Sequence, residues 1–358
     1  MSTKLKVTPK SHHFDLLIKS DADCHKDAHL YGASKIRKLA YILPSILPNN
    51  PQALLTVGSE GSHHVLATCI AGRALGLPVR VALSRQVHSN HSLQVYKQIR
   101  STAQRVTHFT ALNHRDFARE LALWKQDFDP QKHAFIPTGG SCLFGTFGMV
   151  EAVYELVDQI FHDHRSPTTA KMPVPTDIYM ATASGSSLAG LLLGLSLAWP
   201  KHCQIPQVFG VRVSDQSLVN RQKVLTFYQM AADYLAHQDL AKAPPLPPFE
   251  ILGDFIGEGY GVSTLEAQQA MAWSERVGLK LDLSYTAKAF GALLSRERRL
   301  WIKSQRITKK RPLTRPLSDS VPSVPQSKNK VFLFWHSLDT TFPVYTPFKK
   351  SIQNSQNE

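Results

Sequence analysis

The segment Gly32-Ala33-Ser34-Lys35-Ile36-Arg37-Lys38-Leu39 puts a lysine where an irregular stretch enters a helix. A lysine amine attacks an aldehyde only in its neutral form. A positively polarised helix entrance, together with the charges of Arg37 and Lys38, would disfavour the ammonium form of Lys35 and ready it to hold a carbonyl cofactor as a Schiff base. Taken alone, a basic segment opening a helix is usually a solvated face.

A second candidate is Ala183-Ser184-Gly185-Ser186-Ser187-Leu188-Ala189-Gly190, which follows the apolar run Asp177–Ala181 and opens a helix at Leu188. Glycine permits close backbone approach, and the unpaired N–H groups and hydroxyls of a helix start can hold a phosphate dianion. A small-residue turn with a serine cap would read the same way without a ligand. The segment also approaches the G-x-S-x-G nucleophile elbow, with Ser187 as the nucleophile of a serine hydrolase. Ala189 stands at the last position of that pattern, however, and no downstream acid and histidine are assigned. His162-Asp163-His164 reads as a solvated turn after a helix and His12-His13 as part of a tail, so no metal site is expected.

The elements that must position these residues follow from the alternation of short β-rich runs with longer helical patterns. Strands are expected at Phe14–Lys19, Ala53–Val57, Val79–Leu83, Val106–Phe109, Ala134–Pro137, Asp177–Ala181, Val208–Val213, Lys280–Leu283 and Val331–Trp335. Helices are expected at Ser34–Leu43, His64–Leu75, Leu93–Ala103, Arg115–Lys125, Thr146–Phe161, Ser187–Ala198, Leu218–His237 and Thr264–Val277. This order predicts an α/β fold with parallel sheets covered by helices, in which ligands sit at the carboxyl ends of strands. No internal repeat is visible.

With 358 residues, 43% of them hydrophobic, the chain can bury a substantial core in two lobes or one large domain. The polar start Met1–His13 carries no secretory signal, and the longest apolar run, Leu188–Trp199, is well short of the roughly 18 residues of a membrane span. The four cysteines are scattered, as expected of reduced thiols in a cytoplasmic protein. Part of the net charge of +14 lies in Arg306–Lys330, a proline-rich basic segment that reads as a flexible insertion. It has no aromatic residue on which bases could stack, which argues against a nucleic-acid tether.

In order along the chain, the motifs resemble those of fold-type II pyridoxal-phosphate enzymes, specifically the D-cysteine desulfhydrase and 1-aminocyclopropane-1-carboxylate deaminase family. Gly32 to Leu39 resembles its G-N-K-T-R-K-L motif, with Ser34 at the Asn position, and Gly61-Ser62-His63-His64 resembles Q-S-N-H. Ile136-Pro137-Thr138-Gly139-Gly140-Ser141 matches I-P-x-G-G-S, Ser184 to Gly190 resembles T-G-S-T-x-A-G, and Gly257-Glu258-Gly259-Tyr260 matches G-x-G-Y. Leu281 to Lys288 is similar to L-D-P-V-Y-T-G-K, and His336-Ser337-Leu338-Asp339 to H-T-G-G.

The resemblance implies a two-lobed, tryptophan synthase beta-like architecture, with a large domain from residues 1–37 and 145–358 and a small one from 38–144. It implies that Lys35 carries pyridoxal 5'-phosphate covalently and then acts as a base on the substrate Cα. Ser184, Gly185, Ser186 and Ser187 would hold the phosphate. Ser62, His63 and His64 would line the cofactor face and the substrate carboxylate, with Ser62 as a second proton-transfer group or nucleophile. His63 stands where the family has the Asn that hydrogen-bonds the cofactor's phenolic oxygen. Tyr260 and Tyr285 would flank the leaving group. Thr286 stands where the cyclopropane deaminases have a Glu that protonates the pyridine nitrogen, and Ser337 offers a second neutral hydroxyl. A hydroxyl makes the cofactor a weaker electron sink, which suits β-elimination more than ring opening. The implied activity is a D-cysteine desulfhydrase-like lyase acting on a small amino acid in a homodimer. The cyclopropane deaminase and a non-catalytic cofactor-binding relative are the alternatives.

Overall fold

The computed structural model describes residues 5–7, 15–21, 31–111, 114–162, 172–240, 245–276, 278–296 and 330–337. Ten strands run β1 (Leu5–Val7), β2 (Asp15–Ser20), β3 (Ala53–Ser59), β4 (Val79–Ser84), β5 (Arg105–Phe109), β6 (His133–Ile136), β7 (Asp177–Thr182), β8 (Gln207–Arg212), β9 (Phe249–Leu252) and β10 (Val331–His336) among the described residues. The helices are α1 (Ser34–Ile46), α2 (His63–Ala74), α3 (Asn90–Thr102), α4 (His114–Gln126), α5 (Leu143–Phe161), α6 (Ser186–Ala198), α7 (Arg221–His237) and α8 (Leu265–Arg276). A further helical stretch covers 286–296.

The strands form two sheets, β1-β2-β10-β7-β8-β9 and β5-β4-β3-β6. Every neighbouring pair is parallel except β1 with β2. Parallel sheets are covered on both faces, so their strands carry near-continuous apolar runs, as in β10, where all six residues are buried. Alternation along β10 sends Leu333 and Trp335 into the core with α5 and α6, and Phe332 and Phe334 into the opposite core with Phe290 and Leu293. The smaller sheet is covered in the same way: Leu54, Val79 and Val81 pack with Val65, Ile70 and Ile99, while Leu55, Val57 and Ala82 pack with Trp124 and Phe128. No described helix is long and apolar enough to cross a membrane.

The start of α1 is held by a buried ion network. Arg37 donates to Asp21 Oδ1 at 3.0 Å and to Glu155 Oε2 at 2.8 Å, Lys19 reaches Glu155 Oε1 at 2.8 Å, and Trp335 Nε1 donates to Asp21 Oδ2 at 2.9 Å. Buried charges persist where partners and hydrogen bonds compensate desolvation, and here they tie β2, β10 and α5 to one point of α1. Gly148 lets α5 approach that point, because a Cβ there would lie 2.3 Å from the Arg37 carbonyl oxygen.

One expected strand is absent. Lys280–Leu283 is a loop that leads into the helical stretch 286–296, because Asp282 caps that helix: its Oδ2 accepts from the N–H groups of Ser284 and Tyr285 and its Oδ1 from that of Thr286, each at 2.9 Å. An aspartate that satisfies free helix-start N–H groups favours a helix entrance over a strand. Strands β1 and β9 and the helical stretch 286–296 are additions to the elements expected from sequence. The expected insertion up to residue 329, Cys24, His12, His13, Asp163, His164, Leu338 and Asp339 lie outside the described residues.

Candidate active site

A cavity of about 1070 Å³ opens at the carboxyl ends of the strands of both sheets, where parallel α/β architectures leave space for ligands. Lys35 lies in its wall. Two unusual backbone positions lead into that residue: Gly32 at φ +120° and Ala33 at φ +46°, the latter a conformation that costs a residue with a Cβ about 1–3 kcal/mol. The Lys35 N–H closes this turn on the Gly32 carbonyl at 2.7 Å. Burial lowers the Lys35 amine to about 8, against an opposing pull from Asp21. The cause differs from the one expected from sequence. Arg37 is compensated by Asp21 and Glu155, so desolvation, rather than neighbouring positive charge, frees the amine.

The start of α6 shares this cavity. Gly185 precedes it at φ +94°, a conformation glycine adopts without strain, and no side chain caps the first turn. The leading N–H groups of α6 therefore remain available to an anion. Ser141 Oγ donates to Ser184 Oγ at 2.6 Å and Ser186 Oγ to Ser141 Oγ at 3.0 Å. Ser184, Gly185 and Ser187 line the cavity, whereas Ser186 turns inward and accepts from Lys38 Nζ at 2.8 Å. Lys38 also donates to the Gly139 carbonyl at 2.8 Å, and burial, followed by the charge of Lys35, holds its ammonium well below the usual lysine range. Ser187 makes no hydrogen bond to a histidine among the described residues, so the hydrolase elbow has its turn without its base.

The start of α2 forms a third wall. Ser62 caps it, accepting from the Val65 N–H at 3.3 Å, and Ser62, His63 and His64 all line the cavity. His63 lies between Tyr31, whose hydroxyl meets its Nδ1, and His91, whose Nε2 is 3.1 Å from its Nε2. The rings stack at 5.7 and 5.0 Å. Burial, then His91 and Lys35, keep His63 neutral by lowering it well below the usual histidine value. His64 meets Thr56 Oγ1 through Nε2 at 3.1 Å, while its buried Nδ1 has no hydrogen-bond partner.

Tyr260 and Tyr285 enter the cavity from the opposite side with their hydroxyls in contact and their rings edge to face. Ser59 Oγ is 3.4 Å from the Tyr260 hydroxyl. Burial raises both phenols, Tyr285 further, and keeps them protonated. Lys288 supports this wall by donating to the carbonyls of Ile256 and Gly259 at 2.6 and 3.0 Å. The two hydroxyls expected together part company. Ser337 lines the cavity, whereas Thr286 is fully buried outside its wall, donating to Asp282 Oδ1 at 2.7 Å and accepting from the Asp282 N–H at 2.8 Å.

Lys35, the α6 start, Ser62, His63, His64, Tyr260, Tyr285 and Ser337 thus share one cavity, and Thr286 does not. Sequence reasoning gave Lys38 only a charge effect on Lys35 and assigned no site role to Tyr31 or His91. Lys38 carried a signal, since its spacing of three from Lys35 puts both on one side of a helix. A low amine that shares a cavity with an uncapped helix start fits a group with an aldehyde at one end and a phosphate at the other.

A family model described as "Pyridoxal-phosphate dependent enzyme" matches residues 10–308. A Pyrococcus horikoshii protein provisionally named a 1-aminocyclopropane-1-carboxylate deaminase is 31% identical over 271 residues, covering 75% of this chain and 76% of the relative. A Salmonella choleraesuis protein named D-cysteine desulfhydrase is 25% identical over 270 residues, covering 74% and 76%. Among solved structures, an ACC deaminase homologue superposes with a TM-score of 0.67 at 23% identity, covering 94% of this chain and 89% of the other. A fungal L-serine ammonia-lyase from Rhizomucor miehei superposes at 0.57 and 14%, covering 95% and 94%. These two structures share the fold.

Proposed function

The chain belongs to the pyridoxal-phosphate dependent enzymes, and from that premise we propose that it is a lyase performing β-elimination on a small amino acid, with D-cysteine as the first substrate, giving pyruvate, ammonia and sulfide. One observation carries the reading. The Lys35 amine, lowered to about 8, faces the same cavity as the uncapped, serine-lined start of α6. When bound, the cofactor supplies an electron sink for the pair left on Cα.

Lys35 would hold the cofactor covalently, and its amine would serve as the base for the substrate Cα proton. Ser184, Gly185 and Ser187 hold the phosphate, with Lys38 and Ser186 bracing them from behind. His63, kept neutral, would meet the cofactor's phenolic oxygen, and the start of α2 would bind the substrate carboxylate beside His64 and Ser62. Tyr260 and Tyr285, both protonated, stand by the departing group and hand it a proton. Ser337 would offer the pyridine nitrogen a neutral hydroxyl, and Thr286 would act at one remove by bracing Asp282. A neutral hydroxyl there would leave the cofactor a weaker electron sink, which suits loss of a β-thiolate more than ring opening. A homodimer and a cytoplasmic location belong to the same reading.

The relative at 31% identity favours a second reading, opening of the cyclopropane amino acid. Holoenzyme supplied with D-cysteine, β-chloro-D-alanine and 1-aminocyclopropane-1-carboxylate separates the two. Elimination predicts pyruvate from the first two. Faster 2-oxobutyrate release from the third would replace it with the deaminase, and no release at full cofactor loading would identify a non-catalytic relative.

A further inference from the structure

The anionic groups of the proposed cofactor and of a simple amino acid are accounted for by two helix starts: α6 for the phosphate and α2 for the α-carboxylate. Arg85 and Arg115 remain. Both line the same cavity, both are exposed, and neither makes a hydrogen bond or ion pair among the described residues. Two carboxylates beside β3 and on α4 are engaged elsewhere. Glu60 faces His88 at 2.8 Å and His108 at 3.5 Å, and Glu120 accepts from Thr110 at 2.9 and 2.6 Å.

Strand register fixes where these arginines stand. Ser59, beside the Tyr260 hydroxyl, pairs with Ser84 on β4, and Ser84 pairs with Phe109 on β5. Arg85 therefore follows one strand out from the tyrosine pair, about 4.8 Å per step, and Arg115, in the first turn of α4, follows β5 beyond it. A substituent on the substrate Cβ that passes the tyrosines runs toward two cations with no partners.

We infer that the site takes amino acids whose β-substituent ends in an anionic group, received by Arg85 and Arg115 on the edge of the smaller sheet. The inference rests on the lyase reading and narrows its substrate class. Fork-like guanidinium donors match carboxylate, sulfonate and phosphate alike.

A matched pair of probes tests it: S-carboxymethyl-cysteine and its neutral isostere S-carbamoylmethyl-cysteine, each as both enantiomers. Stopped-flow titration of the holoenzyme's cofactor absorbance reads binding before turnover. The acid is expected to bind about tenfold or more tighter than the amide, by an amount that shrinks at high salt. In the doubly substituted R85Q/R115Q protein the ratio falls toward one. R105Q removes the same kind of charge from the amino end of β5, away from the cavity, and keeps the ratio. Equal binding of acid and amide by the wild type, or a ratio undiminished in R85Q/R115Q, overturns the inference. Absence of a cofactor band at the start would instead remove the underlying lyase reading, and this inference with it.

Discussion

Lys38 Nζ donates to Ser186 Oγ at 2.8 Å, so the helix that presents Lys35 is tied, one turn on, to the helix start that lines the same cavity. The two ends of the proposed cofactor are thereby held by elements that cannot drift independently. Lys38→Met removes this tie and the bond to Gly139. The expected result is a cofactor dissociation constant raised about tenfold or more in an equilibrium absorbance titration, with covalent attachment to Lys35 retained at saturation. An unchanged constant would show the tie to be irrelevant to the phosphate.

Cofactor uptake by apoprotein should follow the neutral Lys35 amine. At pH 7 an amine of ordinary value near 10.5 is neutral in about one molecule in 3000, whereas one near 8 is neutral in about one in ten. The rate of attachment is expected to rise from pH 6.5 to about 8 and then level off. Asp21 raises the Lys35 value, so Asp21→Asn moves the profile to lower pH. It also strips Arg37 of a buried partner, costing about 3–5 kcal/mol of stability in denaturant titration. A profile still climbing at pH 10 would contradict the burial of the amine.

Thr286 spends its hydroxyl on Asp282, not on the cavity. Thr286→Glu is therefore expected to damage the cap of 286–296 by setting a second buried carboxylate against Asp282, lowering thermal stability without converting the reaction to ring opening. Thr286→Val should cost about 1–3 kcal/mol and leave the position of the cofactor absorbance band unchanged. A shifted band would put Thr286 back at the ring nitrogen.

Gly148→Ala would improve helix propensity by roughly 1 kcal/mol, yet its Cβ would press on the Arg37 carbonyl at 2.3 Å. The clash is expected to win, with a net loss of about 1–2 kcal/mol seen as a lower denaturant midpoint at constant slope. A stabilised variant would mean that α1 and α5 can separate freely.

Much of this arrangement was legible before any coordinates, for reasons specific to particular residues. Buried parallel strands such as Val331–His336 announce themselves as apolar runs, Lys35 stands in the first turn of a helix, and Ser184–Ser187 stand at a strand-to-helix junction, where α/β folds place ligands. Lys280–Leu283 misled because its alternation of apolar residues is short and Asp282 had a competing use as a cap. The fate of Thr286 was hidden for the same reason, since its bond to the partner four residues earlier in the chain depends on the local geometry of one turn. The histidine stack was hidden because His63 and His91 come together through the packing of α2 on α3, which spacing in the chain does not encode.

Covalent capture at Lys35 is the central claim. Borohydride reduction of the cofactor-loaded protein, proteolysis and mass mapping of the labelled peptide test it most directly. One pyridoxyl group per chain is predicted on Lys35, and none in Lys35→Ala. A label on Lys38, Lys288 or another lysine, or no label with cofactor in excess, would contradict it.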